Sequence, residues 1–155
     1  ADEPTPAILD AIKTNVSENI RESLRSRIVV QGHRWGCLDT EFAQAKANHY
    51  TRILAADCLW MEQNHENLVR SMLHFLSHAP EARIYCVAGF HTGRAKVASF
   101  FEEAVPELGL EVEEMFEMDA DGNRRGWARE RNGGREDIGE RNKWLVVSTL
   151  KRPSP

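Results

Sequence analysis

The chain has little that would anchor it in a membrane, staple it with disulfides or hold it to nucleic acid by bulk charge. No apolar run approaches the ~20 residues that a membrane-spanning helix needs. No charged-then-apolar segment opens the sequence as a secretory signal would. There are three cysteines, Cys37, Cys58 and Cys86, an odd number, all in or near apolar runs. That usage does not read as a disulfide framework. It reads as reduced thiols in an intracellular, cytoplasmic protein. No cysteine pair and no histidine spacing matches a zinc or iron pattern, so no metal is expected. The net charge is −4, and without a basic excess no nucleic-acid partner is expected. A nucleophile-elbow pattern is absent, and Cys58 has no marked histidine partner, so covalent catalysis has no support.

What remains is an ordinary globular composition. The 155 residues are 41% hydrophobic and 28% charged, enough for one domain over residues 1–155 with a core of its own. Thr5-Pro6 reads as a helix start. Leu9, Ile12, Val16 and Ile20 recur at helical spacing, which predicts a helix over 6–24. Arg27 to Gln31 is a predicted strand, Asp39 to Ala47 a short helix, and Arg52 to Ala56 a second strand. An amphipathic helix is predicted over 65–77, with Leu68, Met72, Phe75 and Leu76 on one face and Pro80 marking its end. Arg83 to Ala88 is a third strand, Val97 to Ala104 marks a helix, and Glu111 to Met118 and Trp144 to Leu150 are the last two strands. The alternation calls for an α/β sheet, mostly parallel, with helices on its faces. The last two strands have no helix between them and should pair antiparallel. Asp119 to Lys143 is charged, glycine-bearing and aperiodic. It reads as a loop or long hairpin, and its mixed charges read first as a solvated, mobile surface and second as a partner-docking one.

Three loops follow three consecutive strands: Gly32 to Gly36, Asp57 to Trp60, and Gly89 to Gly93. In a parallel sheet they emerge at one edge, where open α/β folds bind ligands. The run RILAADCLW (52–60) is a buried-strand pattern that stops at Asp57, with an aromatic three residues on at Trp60. Asp57 is either a helix N-cap or a site residue that orients an amine. Trp60 either walls a site beside a positive charge or closes the core. Trp35, between a strand and Gly36, either stacks on a flat ligand or packs at the core edge. His65 reads as a polar helix terminus, and His91 as a candidate substrate contact. The glycines either admit a ligand or simply turn the chain.

Taken together, HRWG, RILAADCLW, HENLVRSMLHFLS, AGFHTGRAKVASFFEEA and RNKWLVVSTL resemble the seven-strand class I methyltransferases. They are most similar to the branch of protein lysine methyltransferases and fungal nicotinamide N-methyltransferase-like proteins. The resemblance covers essentially the whole chain. It implies a Rossmann-like methyltransferase sheet with an antiparallel last strand, and S-adenosylmethionine as cofactor. It implies that Asp57 and Trp60 line the methyl-transfer site, although relatives usually carry tyrosine or phenylalanine where Trp60 stands. It implies cofactor contacts from Trp35, from Ala55 and Ala56, and from Asp2 as the acid that holds ribose hydroxyls. The first strand and its glycine-rich cofactor loop have no counterpart in this sequence, which begins with Ala1. The chain therefore reads as the back portion of a longer enzyme, with the missing N-terminal segment as a partner. The implied reaction is N-methylation of a lysine or N-terminal amine of a protein. A small heteroaromatic amine as substrate, and a catalytically inactive interaction domain, are the alternatives.

Overall fold

The computed structural model describes residues 5–153. Helix α1 (Pro6–Asn19) starts after an extended Thr5, with proline in its first turn. It ends earlier than predicted, because Ile20 is extended. The helical turn α2 (Glu22–Arg25) follows, and the Arg25 guanidinium Nε donates to the Ile20 carbonyl at 2.8 Å. That bond satisfies an acceptor the broken helix leaves open. No residue of α1 is buried.

The predicted strand Arg27–Gln31 does not form. It has no ladder partner, and Val29 is 79% exposed. An apolar run becomes a strand only where a neighbour takes its backbone groups, and none among the described residues pairs with it as a strand. The short helix α3 (Glu41–Ala45) forms within its predicted range. Its N-cap Thr40 accepts a hydrogen bond from the Ala43 N–H through Oγ1.

Strands β1 (Arg52–Ala56), β2 (Arg83–Gly89), β3 (Glu111–Asp119), β4 (Arg124–Gly126) and β5 (Trp144–Lys151) make one sheet in the order β1-β2-β5-β3-β4. β1 pairs parallel with β2, while β5 runs antiparallel to both β2 and β3. Hence β1, β2 and β3 share one direction, and the last strand is inserted against them. The α/β sheet with an antiparallel last strand is as expected. By pairing, however, the sheet is mostly antiparallel, because the 27–31 segment adds no parallel neighbour and β4 adds an antiparallel one. Among the described residues β1 has no strand on its other side.

Helix α4 (His65–Phe75) crosses between β1 and β2. α5 (Arg94–Ser99), a π-turn over Phe100–Ala104 and α6 (Val105–Glu107) form one continuous helical run between β2 and β3. Both pack on the same face of the sheet. Ile84, Cys86 and Ala88 of β2, and Val146, Ser148 and Leu150 of β5, alternate inward beneath them. Leu68, Val69, Met72, Val97, Phe100 and Val105 complete that core. Apolar burial on this face is the main stabilising contribution. The opposite face is more open: Leu54 is 77% exposed.

The segment 119–143 opens as a hairpin and stays largely exposed, but it carries more order than a mobile loop. β3 and β4 form a hairpin whose turn is held by Asp119, which accepts from the N–H groups of Asp121 and Asn123. After it, Trp127 stacks on Phe90 with centroids 6.0 Å apart. The helical turn α7 (Ile138–Arg141), capped by Asp137, leads into β5. Its mixed charges are folded onto one another, and that escapes a reading by periodicity.

Candidate functional site

The carboxyl ends of β1 and β2 and the amino end of β5 lie at one sheet edge, as the registers Ala56–Val87 and Gly89–Leu145 require. The ladder continues one residue past β1, where the Asp57 N–H donates to the Val87 carbonyl at 2.7 Å. At that point the chain turns sharply. Asp57 has φ +52, a left-handed conformation that costs a non-glycine residue of order 1 kcal/mol or more and that aspartate tolerates better than most. Its Oδ1 accepts the Gly89 N–H at 3.5 Å. Asp57 heads no helix: the next helical turn begins at Glu62, so the N-cap reading falls. An exposed, strained acid remains at the strand end.

The turn also decides the fate of the next residues. Leu59 is 1% exposed and fills the core, whereas Trp60 is 48% exposed. Trp60 therefore does not close the core, and it lines neither of the two cavities beside β1. The loop is held from behind by His65, which is buried at the start of α4. Its Nε2 donates to the Leu59 carbonyl at 2.9 Å, and its Nδ1 lies 3.4 Å from Ser99 Oγ. Its ring meets Phe100 edge-on. His65 is thus a core brace for the Asp57–Trp60 loop, a role beyond that of a polar helix terminus.

Two cavities flank β1. The first, about 390 Å³, is lined by Ala56, Asp57, Val87, Gly89, His91 and Asn142, with Ala88, Phe90 and Leu145 completing it. It joins the Asp57 and Gly89–Gly93 loops, and brings Ala56 and His91 beside Asp57. Asn142 comes from the far end of the 119–143 segment. Nothing in its local sequence marks it, because only the strand order carries the start of β5 to this edge.

The second cavity, about 280 Å³, lies along the open side of β1. Trp35, Ile53, Ala55, Cys58, Met72 and Phe75 line it, with His33, Tyr50 and Ser71 among the others. Trp35 and Ala55 are therefore together, while Ala56 lines the other cavity. The Gly32–Gly36 loop reaches this cavity and is tied to α4: Ser71 Oγ accepts the Gly36 N–H at 2.8 Å and lies 3.0 Å from His33 Nε2. Gly36 has φ +82, and a Cβ there would lie 2.6 Å from Asn67 Oδ1, so this position requires glycine. His33 Nδ1 is buried and has no hydrogen-bond partner among the described residues. Burial, and then the neighbouring His74, lower the His33 pKa and favour the neutral ring. Burial, and then the Asp57 charge, raise the Cys58 thiol. Asp2 lies outside the described residues. The described residues contain no cluster of histidine, cysteine or acidic groups able to hold a metal. No helix among them is long and apolar enough to cross a membrane.

Behind the Asp57 cavity, Arg94 fixes the late segment to the sheet. Its guanidinium donates to both carboxylate oxygens of Glu117 (2.7 and 3.0 Å), to both of Glu136, and to the Ala128 carbonyl. Arg125 and Arg131 add further bonds to Glu117. Burial works against the Glu117 carboxylate, but bonds from Arg94, Arg131 and Arg125 outweigh it and lower its pKa to about 2. Burial likewise opposes the Arg94 charge, and Glu136 and Glu117 more than restore it.

The sequence profile of the lysine methyltransferase family matches residues 3–105. No curated protein matches the chain. The chain belongs to the lysine methyltransferase family.

Proposed function

We propose that this member of the lysine methyltransferase family takes part in S-adenosylmethionine-dependent N-methylation of a lysine or N-terminal amine of a protein. The carrying observation is Asp57, a carboxylate held in a left-handed turn at the carboxyl end of β1, facing a cavity shared with His91 and Asn142. Backbone strain of this kind persists where the surrounding structure enforces it, and such sites are often functional.

The cavity beside Trp35 fits the flat end of the cofactor. It is largely apolar, it holds an indole ring, and the His33 Nδ1 inside it has no hydrogen-bond partner among the described residues. Trp35 and Ala55 would hold that end, with Ala56 beneath the reacting region. Bound S-adenosylmethionine supplies a methyl group on a positively charged sulfur. The protein then has little covalent chemistry to do. Asp57 would accept hydrogen bonds from the amine, orient its lone pair and stabilise the cation that forms. His91 and Asn142 would restrict its approach. Holding two reactants in line can contribute ~7–11 kcal/mol.

The open side of β1 supports a further element of this reading. Its backbone groups have no strand partner among the described residues, and Leu54 beside them is 77% exposed. A segment carrying a strand and a glycine-rich loop would pair there and complete the cofactor site. The three free thiols suit a reducing compartment, and a cytoplasmic location is part of the proposal.

Calorimetry with S-adenosylmethionine, followed by mass spectrometry of lysine peptides and of nicotinamide after incubation, tests the reading. A gain of 14 mass units, about one methylene, on a peptide amine supports it. A gain on nicotinamide alone transfers the activity to small amines. Absence of both heat and methyl transfer in the longest natural form of the protein leaves an inactive interaction domain.

A further inference from the structure

A third cavity, about 510 Å³, is lined by Arg94, Arg129, Arg131 and Arg141 against Glu130 and Glu136, with Ala95 and Gly134 completing the wall. Four guanidinium groups face two carboxylates. Arg94 is taken up by Glu117 and Glu136, Arg131 by Glu117, and Arg129 by an exposed pair with Glu102. Arg141 has no ion pair among the described residues. The Nε atoms of both Arg131 and Arg141 are buried without a hydrogen-bond partner. A buried donor without an acceptor costs about 1–3 kcal/mol. Both side chains line this cavity, and their fork geometry matches a carboxylate.

This cavity adjoins the Asp57 cavity through the chain itself. Arg141 lines one and Asn142 the other, and consecutive Cα atoms are ~3.8 Å apart. On the opposite wall Arg94 lines one and His91 the other, three residues apart. An extended peptide with its amine at Asp57 rises ~3.3 Å per residue. It would therefore bring a side chain a few residues away to the arginines.

We propose that the arginine-lined cavity is a specificity subsite for an aspartate or glutamate of the protein substrate, a few residues from the methylated amine. The inference rests on the amine-methylating reading of the Asp57 site. An acidic neighbour would pair with Arg141, which has no ion pair among the described residues, and with Arg129, whose pair with Glu102 is exposed, and fix the register of the peptide. A neutral or basic neighbour would leave them unmet or repel them.

The test uses peptides with one lysine and a neutral fluorophore, carrying either glutamate or glutamine three residues to each side of the lysine. Anisotropy measures binding to the protein with S-adenosylmethionine present, and mass spectrometry measures methyl transfer separately. The glutamate peptide is expected to bind roughly tenfold tighter or better, with the advantage shrinking as salt is added. Arg141→Gln and Arg129→Gln should each bring the ratio close to one. Two substitutions are used so that a folding defect in either, read by circular dichroism, leaves the other informative. Equal affinity for the two peptides, or an advantage that survives both substitutions, overturns the subsite. Inorganic phosphate that binds in an Arg141-dependent way, with no gain for the glutamate peptide, also overturns it. Acid-selective binding without methyl transfer keeps the subsite and removes the enzymatic reading. Methyl transfer without acid preference does the reverse.

Discussion

Arg94 and Glu117 face each other in a buried two-point ion pair, Nη1 to Oε1 at 2.7 Å and Nη2 to Oε2 at 3.0 Å. Arg94 begins the helix after β2, and Glu117 sits in β3, with the inserted strand β5 between their strands. The pair therefore joins the loop beside the Asp57 cavity to the far side of the sheet. Because Glu136 shares the same guanidinium, it also draws in the segment that ends at Asn142.

Acid should release this junction. The Glu117 carboxyl lies at about 2 in the folded protein against an ordinary 4.5, so the folded state binds this proton less readily than the unfolded chain. The resulting stability is fully present above about pH 4.5 and is lost as pH falls toward about 2. Glu136 is lowered too, chiefly by its bond to Arg94, and acts in the same direction. Glu117→Gln should cost about 3–5 kcal/mol, since it strands buried guanidinium charge. It should also flatten the dependence of Tm on pH in that window. An unchanged pH profile in the variant would show that Glu117 is not the titrating group.

His65 should matter for stability in spite of standing outside every cavity beside β1. His65→Phe keeps a ring against Phe100 but leaves the buried Leu59 carbonyl without its donor. Urea unfolding is expected to show a loss of about 1–3 kcal/mol. His65→Gln should recover part of it. Equal loss in both variants would mean that ring packing, and not the hydrogen bond, braces the loop.

Asp57 separates conformation from chemistry. Asn also tolerates a left-handed backbone, so Asp57→Asn should unfold at nearly the parent urea concentration while kcat/KM for methyl transfer falls about 100-fold. Asp57→Val should instead lose about 1–3 kcal/mol of stability, because a β-branched residue is strained at φ +52. Full methyl transfer by the Asn variant would remove Asp57 from the site. Trp60→Ala should have little effect on unfolding, given its 48% exposure.

The cysteines should differ in reactivity. Cys86 is fully buried, and burial pushes its thiol up to about 12. It should resist a thiol reagent such as DTNB at pH 8 until the protein unfolds. Cys58, raised by burial and by Asp57, should react slowly, and faster in Asp57→Asn. Rapid labelling of Cys86 in the folded protein would contradict the sheet packing described here.

Much of the candidate site was legible before folding. RILAADCLW read as a strand ending in an acid, and Asp57 stands at that end. His91 and Ala56 share its cavity, and Trp35 and Ala55 share another. Trp60 was legible as an aromatic but not as an exposed one, since the left-handed turn at Asp57 sends Leu59 inward instead. Asn142 and the arginine-lined cavity left no local signal. Arg94, Glu117 and Glu136 are 23 and 42 residues apart in the chain, and charge alone gives no partner.

The amino-acid sequence by itself determined strands β1, β2, β3 and β5, the helices between the first three of them, their apolar faces and the acid at the end of β1. These are local properties, set by side-chain periodicity and by residues that start or stop an element. Tertiary structure alone decided that residues 27–31 stay unpaired, that Asp57 is held left-handed, and that the charged 119–143 segment folds against the sheet. Each of those depends on which backbone or charged group lies opposite. The physical reason is that hydrogen bonds and ion pairs between distant residues are satisfied by position in space, which spacing along the chain does not record.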